Sequence, residues 1–226
     1  TRGSVVAEEV PGGFAGVYKS SNHGDSWALV PQNGDPGYSS FGWWFGQIRV
    51  HPDNANHVFN LGVGWKESSN SGASWSEVSD YLHADYHAFY IHPANPSFQV
   101  VGNDGGVYIS TNGGGSWQHR PFPITQFYTC EIDFQAPTRY SGGAQDNGTT
   151  GGNALGINSW PRIYGGDGFQ PIFHPTEPLV MYAETQNGGL VVTADGGNSF
   201  FNASDGIVDD DRRNWNMPII MSSHYP

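Results

Sequence analysis

Three acidic clusters in this 226-residue sequence combine side chains able to move protons or hold a ligand. His83-Ala84-Asp85-Tyr86-His87 sets a carboxylate between two imidazoles, while Gln145-Asp146-Asn147-Gly148 and Tyr164-Gly165-Gly166-Asp167-Gly168 each set one among glycines and amides. Two carboxylates held about 5 to 9.5 Å apart and pushed to unequal pKa values act as acid and base on a glycoside. Asp85, Asp167 and Asp146 are therefore the candidate catalytic residues, with His83 or His87 placed to shift or orient Asp85. A plainer reading has Asp85 and Asp167 capping turns by accepting backbone N–H bonds. On an extended segment His83, Asp85 and His87 share a face, as metal ligands do, but no fourth ligand is identifiable and no metal is assigned. The aromatic run Tyr38 to Phe45 offers Trp43 and Trp44 either for stacking on a sugar ring or for core packing. With Tyr164, His83 and His87 they make up the candidate ligand-binding set; no cofactor is implied.

The elements that must position these residues announce themselves as a repeat. An octet of the pattern [ST]-x-[ND]-x-G-x-S-[WF] occurs at 20–27, 68–75, 110–117 and 193–200. A spacing of about forty residues, with one double interval, marks a repeat architecture. In each octet the hydroxyl (Ser20, Ser68, Ser110, Thr193) and the amide or carboxylate (Asn22, Asn70, Asn112, Asp195) can bond backbone N–H groups across a turn. The glycine (Gly24, Gly72, Gly114, Gly197) permits positive φ, and the closing aromatic (Trp27, Trp75, Trp117, Phe200) is expected to tuck between neighbouring sheets. One carboxylate in four such turns is a poor calcium cage, so the octets read as structural.

A second signal runs in phase: His51-Pro52, His92-Pro93 and His174-Pro175, with Phe134-Gln135-Ala136-Pro137 filling the gap. Strand-like runs flank each, and a Gly-rich turn follows. The unit is strand, HP turn, strand, Gly turn, strand, octet, strand: four antiparallel strands in about forty residues, one propeller blade. The fold expected is an all-β β-propeller of about five four-stranded blades, with repeats at roughly 1–37, 38–80, 81–122, 123–163 and 164–206 and a closing or next-blade strand at 214–226. Such a chain is either a closed five-bladed ring or part of a longer propeller.

With 32 Gly, 15 Pro and only 13% charged residues, the composition is that of a turn-rich β protein. A net charge of −12 argues against nucleic acid and anionic membranes as partners. No stretch is long and apolar enough for a membrane helix. The single cysteine, Cys130, cannot form an internal disulfide and is expected to be a buried, inert thiol. Low lysine, high glycine and aromatic content point to an extracellular or cell-surface protein.

The octet is the Asp-box, or BNR repeat, and the chain resembles sialidase-like, sortilin-like and xyloglucan-hydrolase-like propellers. The runs HADYHAFYIHPANP, VVGNDGGVYIS, GGAQDNGT and GGDGF extend that likeness to bacterial secreted sortilin-like propellers, over nearly the whole chain. In the xyloglucan-cleaving relatives two propellers face each other and each supplies a catalytic Asp. The sialidase arginine triad has no counterpart here. The expected function is a binding or interaction module for carbohydrate or protein at the axial face. Alternatives are a glycoside hydrolase using Asp85 with Asp167 or Asp146, and a structural subunit assembled with further propeller sequence or other chains.

Overall fold

The computed structural model describes residues 4–10, 13–31, 33–37, 44–78, 81–208 and 211–222, with side chains described for all of these except 4–10 and 13–15. Trp43 and the terminal residues 223–226 lie outside the described residues. The chain is an all-β propeller of antiparallel blades, about five in number, and divides into two compact units, Thr1–Phe122 and Pro123–Pro226.

The first unit holds three sheets. Blade 1 has β1 (Ser4–Val10), β2 (Gly13–Ser20) and β3 (Ala28–Leu29). Blade 2 has β4 (Gln47–His51), β5 (Asn54–Leu61), β6 (Trp65–Ser68) and β7 (Ser76–Glu77); blade 3 has β8 (Tyr86–Ile91), β9 (Gln99–Asn103), β10 (Gly106–Ser110) and β11 (Gln118–Arg120). The second unit holds two. Blade 4 has β12 (Phe127–Ile132), β13 (Arg139–Ala144), β14 (Gly148–Asn153) and β15 (Arg162–Tyr164). Blade 5 has β16 (Ile172–Phe173), β17 (Met181–Thr185), β18 (Gly189–Thr193) and β19 (Phe201–Asn202). Strands are ordered by sequence in every sheet, so each blade is a meander that needs only hairpin turns.

The octets close those hairpins with one shared cage of hydrogen bonds. Ser20 Oγ accepts the Gly24 N–H at 2.8 Å, while Asn22 Oδ1 accepts the Ser20 hydroxyl at 2.9 Å and the Ser26 N–H at 3.0 Å. The same cage recurs about Ser68 and Asn70, Ser110 and Asn112, and Thr193 and Asp195. The closing aromatics then join blades. Trp117 packs on Trp65 of blade 2 at 5.2 Å and on Phe89 at 6.4 Å, and Phe200 packs on Tyr164 of blade 4 at 4.9 Å. Trp27, expected to be tucked in, is 40% exposed.

Blade 4 lacks the cage. Its third turn runs through Asn153-Ala154-Leu155-Gly156-Ile157-Asn158-Ser159, with Asn153 Oδ1 accepting only the Leu155 N–H, at 2.9 Å. The aromatic survives: Trp160 sits 4.6 Å from Tyr140 and 5.2 Å from Phe127, so Ser159-Trp160 is the remnant of the missing octet.

The HP histidines are turn acceptors. His92 Nδ1 accepts N–H bonds from Ala94 and Asn95 at 3.1 Å, His174 Nδ1 from Thr176 at 3.2 Å and Glu177 at 3.0 Å, and His51 Nδ1 from Asp53 at 3.2 Å. In blade 4 the equivalent is Asp133, one residue before the Phe134 that the sequence pattern aligned; its Oδ1 accepts the Gln135 N–H at 2.9 Å. A carboxylate replaces the imidazole because the turn requires an acceptor two atoms beyond Cβ, not a ring.

The core of the first unit is aromatic, with Phe59, Trp65, Tyr86 and Phe89 enclosing Leu61 and Val101. Burying each such ring contributes roughly 1.5 to 3 kcal/mol relative to leaving it exposed. Cys130, expected to be buried, is exposed. β12 alternates along the edge of its sheet, and Tyr128, Cys130 and Ile132 fall on the open side.

Candidate functional site

Asp85 and Asp167 occupy equivalent places, each just before the first strand of its blade and docked on the preceding blade. The Asp85 N–H donates to Val63 O at 3.0 Å and the Tyr86 N–H to Gly62 O at 2.9 Å, both in blade 2; in the second unit the Gly168 N–H donates to Ala144 O of blade 4 at 2.9 Å, while the Phe169 N–H donates to Glu184 O within blade 5 at 3.1 Å. Their surroundings differ.

In the first unit Asp85 is half-buried and in the left-handed region, at φ 65°. One of its carboxylate oxygens lies within 4.8 Å of one from Asp104, in the turn between β9 and β10. Asp104 Oδ1 lies 2.7 Å from His87 Nε2, and the His87 ring stacks on Phe45 at 5.0 Å and 29°. Trp44 stands edge-on to His87 at 6.0 Å and 86° and is 62% exposed. The His83 carbonyl accepts the Asn103 side-chain amide at 2.7 Å, and its ring lies against Gly105, where a Cβ would strike it. Burial pushes the Tyr86 hydroxyl up to about 12, so the residue beside Asp85 stays neutral. The composite sets an exposed indole beside an imidazole and carboxylates, side chains whose chemistry includes stacking and accepting hydroxyl hydrogens. Asp104 carries no motif signal of its own; the Gly-rich turn Asn103-Asp104-Gly105-Gly106 is its only trace in the sequence.

In the second unit Asp167 is 6% exposed, and its Oδ1 accepts the Asp146 N–H at 2.9 Å. This is the turn-capping role, and it fixes Asp146 in the left-handed region at φ 60°. Tyr164, a candidate ligand residue by sequence, instead packs on Phe200 in the seam between blades 4 and 5. Aromatics missed by the sequence reading stand here: Tyr128 stacks on the buried Phe169 at 4.7 Å and 20°, and Trp215 meets Phe169 edge-on at 6.2 Å and 86°. Tyr128 was hidden inside an ordinary alternating strand, and Trp215 lies at the start of the closing or next-blade strand expected over 214–226, a stretch whose described residues form no strand.

Among the described residues no helix is long and apolar enough to cross a membrane. No protein-family model and no curated protein matches the chain. Among solved structures it is similar to the GH74 enzyme of Niastella koreensis, with 14% identity over 89% of this chain and 36% of that one and a TM-score of 0.43. It is similar to an ancestral GH74 enzyme, with 20% identity over 94% of this chain and 31% of that one and a TM-score of 0.38. A third likeness is to YCF48 bound to D1 peptide, with 12% identity over 84% of this chain and 61% of that one and a TM-score of 0.34. The chain thus spans roughly a third of the length of the two GH74 chains.

Proposed function

We propose that the chain is a secreted Asp-box propeller of the sortilin-like kind that binds carbohydrate through the loops of blades 2 and 3. The observation that carries this reading is Trp44, 62% exposed yet set edge-on to the His87 ring, which stacks on Phe45 and lies against the Asp104 carboxylate, with Asp85 close to Asp104. An exposed tryptophan stacks on the CH face of a pyranose, and neighbouring carboxylates accept its hydroxyl hydrogens. The net charge of −12 favours a neutral glycan over an anionic one. Secretion rests on the Asp-box and on a composition low in lysine and rich in glycine and aromatics.

A glycoside hydrolase is the second reading, supported by the two carboxylates within 4.8 Å, since retaining enzymes hold their pair about 5 to 5.5 Å apart. The partner of Asp85 in this reading is Asp104. One experiment separates the two: calorimetric titration with neutral oligosaccharides, with reducing-end release followed in the same samples. Trp44→Ala is expected to weaken binding about tenfold with the fold intact. Binding indifferent to Trp44→Ala would sink the module reading. Sugar release that Asp85→Ala abolishes would establish the hydrolase, and the absence of release from wild-type protein would remove it.

A further inference from the structure

In the first unit each octet docks at one fixed place on the blade before it. That place stands three residues ahead of the first hydroxyl of the preceding octet: Val17 ahead of Ser20, and Trp65 ahead of Ser68. Gly72 of the second octet lies so close to Val17 that an added Cβ would meet it at 3.3 Å, and Lys19 Nζ donates to Ser71 Oγ at 2.8 Å. Trp117 of the third octet packs on Trp65 at 5.2 Å, in a cluster that includes Phe59. Both places are sealed. Val17 and Trp65 are fully buried, and the indole nitrogens of Trp75 and Trp117 are shielded from solvent.

Blade 5 carries the same place uncovered. Leu190 stands three residues ahead of Thr193, and Tyr182 occupies the register position of Phe59: Tyr182 pairs with Val192 and Phe59 with Glu67, each just before the octet hydroxyl. Leu190 and Tyr182 are only partly buried. With Ile172, Ile219, Ile220 and Met221 they line an open apolar groove, and among its described residues none is charged. Ile220 is 95% exposed there. The fitting surface is on blade 1, where Trp27 closes the first octet and remains 40% exposed.

We propose that the Trp27 octet of one copy of the chain docks in the Leu190–Tyr182 groove of a second copy, repeating between molecules the seam that joins blade to blade in the first unit. The occupant follows from that continuity: at the equivalent places Val17 and Trp65 the fold accepts an octet and its tryptophan. An exposed tryptophan entering an apolar groove is also the kind of contact that dominates protein interfaces. The two surfaces differ, so the contact is heterologous, and each copy fills one groove while offering its own. The net charge of −12 makes copies repel at long range while the groove itself is uncharged, so added salt strengthens the association. None of this depends on the carbohydrate reading of Trp44.

The test is sedimentation velocity of the full chain over about 1 to 200 μM protein, at low and at moderate salt, with variants whose circular dichroism and melting match wild type. Wild type is expected to associate reversibly, and more strongly at the higher salt. Trp27→Ser and Leu190→Asp should each weaken association about tenfold, and Trp27→Phe, which keeps an aromatic ring, should stay within about threefold of wild type. Leu155→Ser, at an exposed apolar residue of blade 4, should change nothing. The decisive sample is an equimolar mixture of Trp27→Ser and Leu190→Asp. One keeps the groove and the other keeps the tryptophan, so the mixture is expected to form dimers and nothing larger. If Leu190→Asp fails to fold, Leu190→Ala takes its place. A wild type that stays monomeric throughout, an association that Trp27→Ser leaves intact, or a mixture no more associated than either variant alone would overturn the proposal. The carbohydrate reading stands or falls separately, on the response of oligosaccharide binding to Trp44→Ala.

Discussion

At the scale of single residues, the four octets show how one substitution redirects a hydrogen-bond cage without breaking it. In three copies an asparagine amide donates to the serine hydroxyl, as Asn22 Nδ2 does to Ser26 Oγ at 2.9 Å. In the last copy Asp195 cannot donate, and the Ser199 hydroxyl reverses to donate to Asp195 Oδ2 at 2.6 Å. The Ser199 side-chain bond, with the Ser199 N–H and the Thr193 hydroxyl behind it, holds the Asp195 carboxyl down to about 2. A depressed folded-state pKa contributes stability that is fully present above the unfolded carboxylate value of about 3.9 and is lost as pH falls towards 2. Asp195→Asn restores the cage of the other copies and removes this titration. Melting midpoints measured from about pH 5 down to about pH 2 should therefore fall more steeply in wild type than in Asp195→Asn. Parallel curves would show that the cage does not feel the charge. The buried Glu184 has the opposite sign: burial raises its pKa against the pull of the Met217 and Gln170 N–H bonds, so its contribution is greatest when protonated and declines as pH rises.

At the scale of elements, the candidate residues are placed by how closely one blade's turn can approach the next blade's entry segment. In the second unit the β13–β14 turn meets the segment before β16 with no room for a side chain. A Cβ on Gly143 would collide with the Phe169 carbonyl oxygen, which accepts the Thr129 hydroxyl at 2.8 Å. The obstacle is backbone, which cannot swing aside as a side-chain tip can. Gly143→Ala is therefore expected to destabilise by about 1 to 3 kcal/mol, read from denaturant unfolding. Gly165→Ala, with nothing within 4 Å of the added Cβ, should stay within about 0.5 kcal/mol of wild type. Similar values for the two would mean that the close approach carries no energetic weight. Phe169, on which Tyr128 and Trp215 pack, sits at this junction.

At the scale of the whole molecule, 21 acidic residues against 9 basic ones make self-repulsion a standing cost of compactness. Raising ionic strength from about 0.02 to about 0.2 M shortens the screening length, and scanning calorimetry should record a melting midpoint higher by a few degrees. A midpoint that is flat or falls would mean that the acids are locally compensated. The sequence by itself determined the all-β blade unit, the four octet cages and the equivalent placement of Asp85 and Asp167, because these depend on contacts within about forty residues that repeat in register. It also exposed the acidic bias. It misplaced the blade 4 turn by one residue at Asp133 and misread Cys130, whose edge strand keeps one side open, and it assigned Tyr164 to ligand rather than to the seam. Only the tertiary structure decided which side chains meet. Asp104 joins His87 and Asp85 across a hairpin, and Trp215 joins Tyr128 and Phe169 across two blades. No local spacing encodes those meetings. They follow from the packing of one sheet against its neighbour, which fixes distances between residues far apart in the chain.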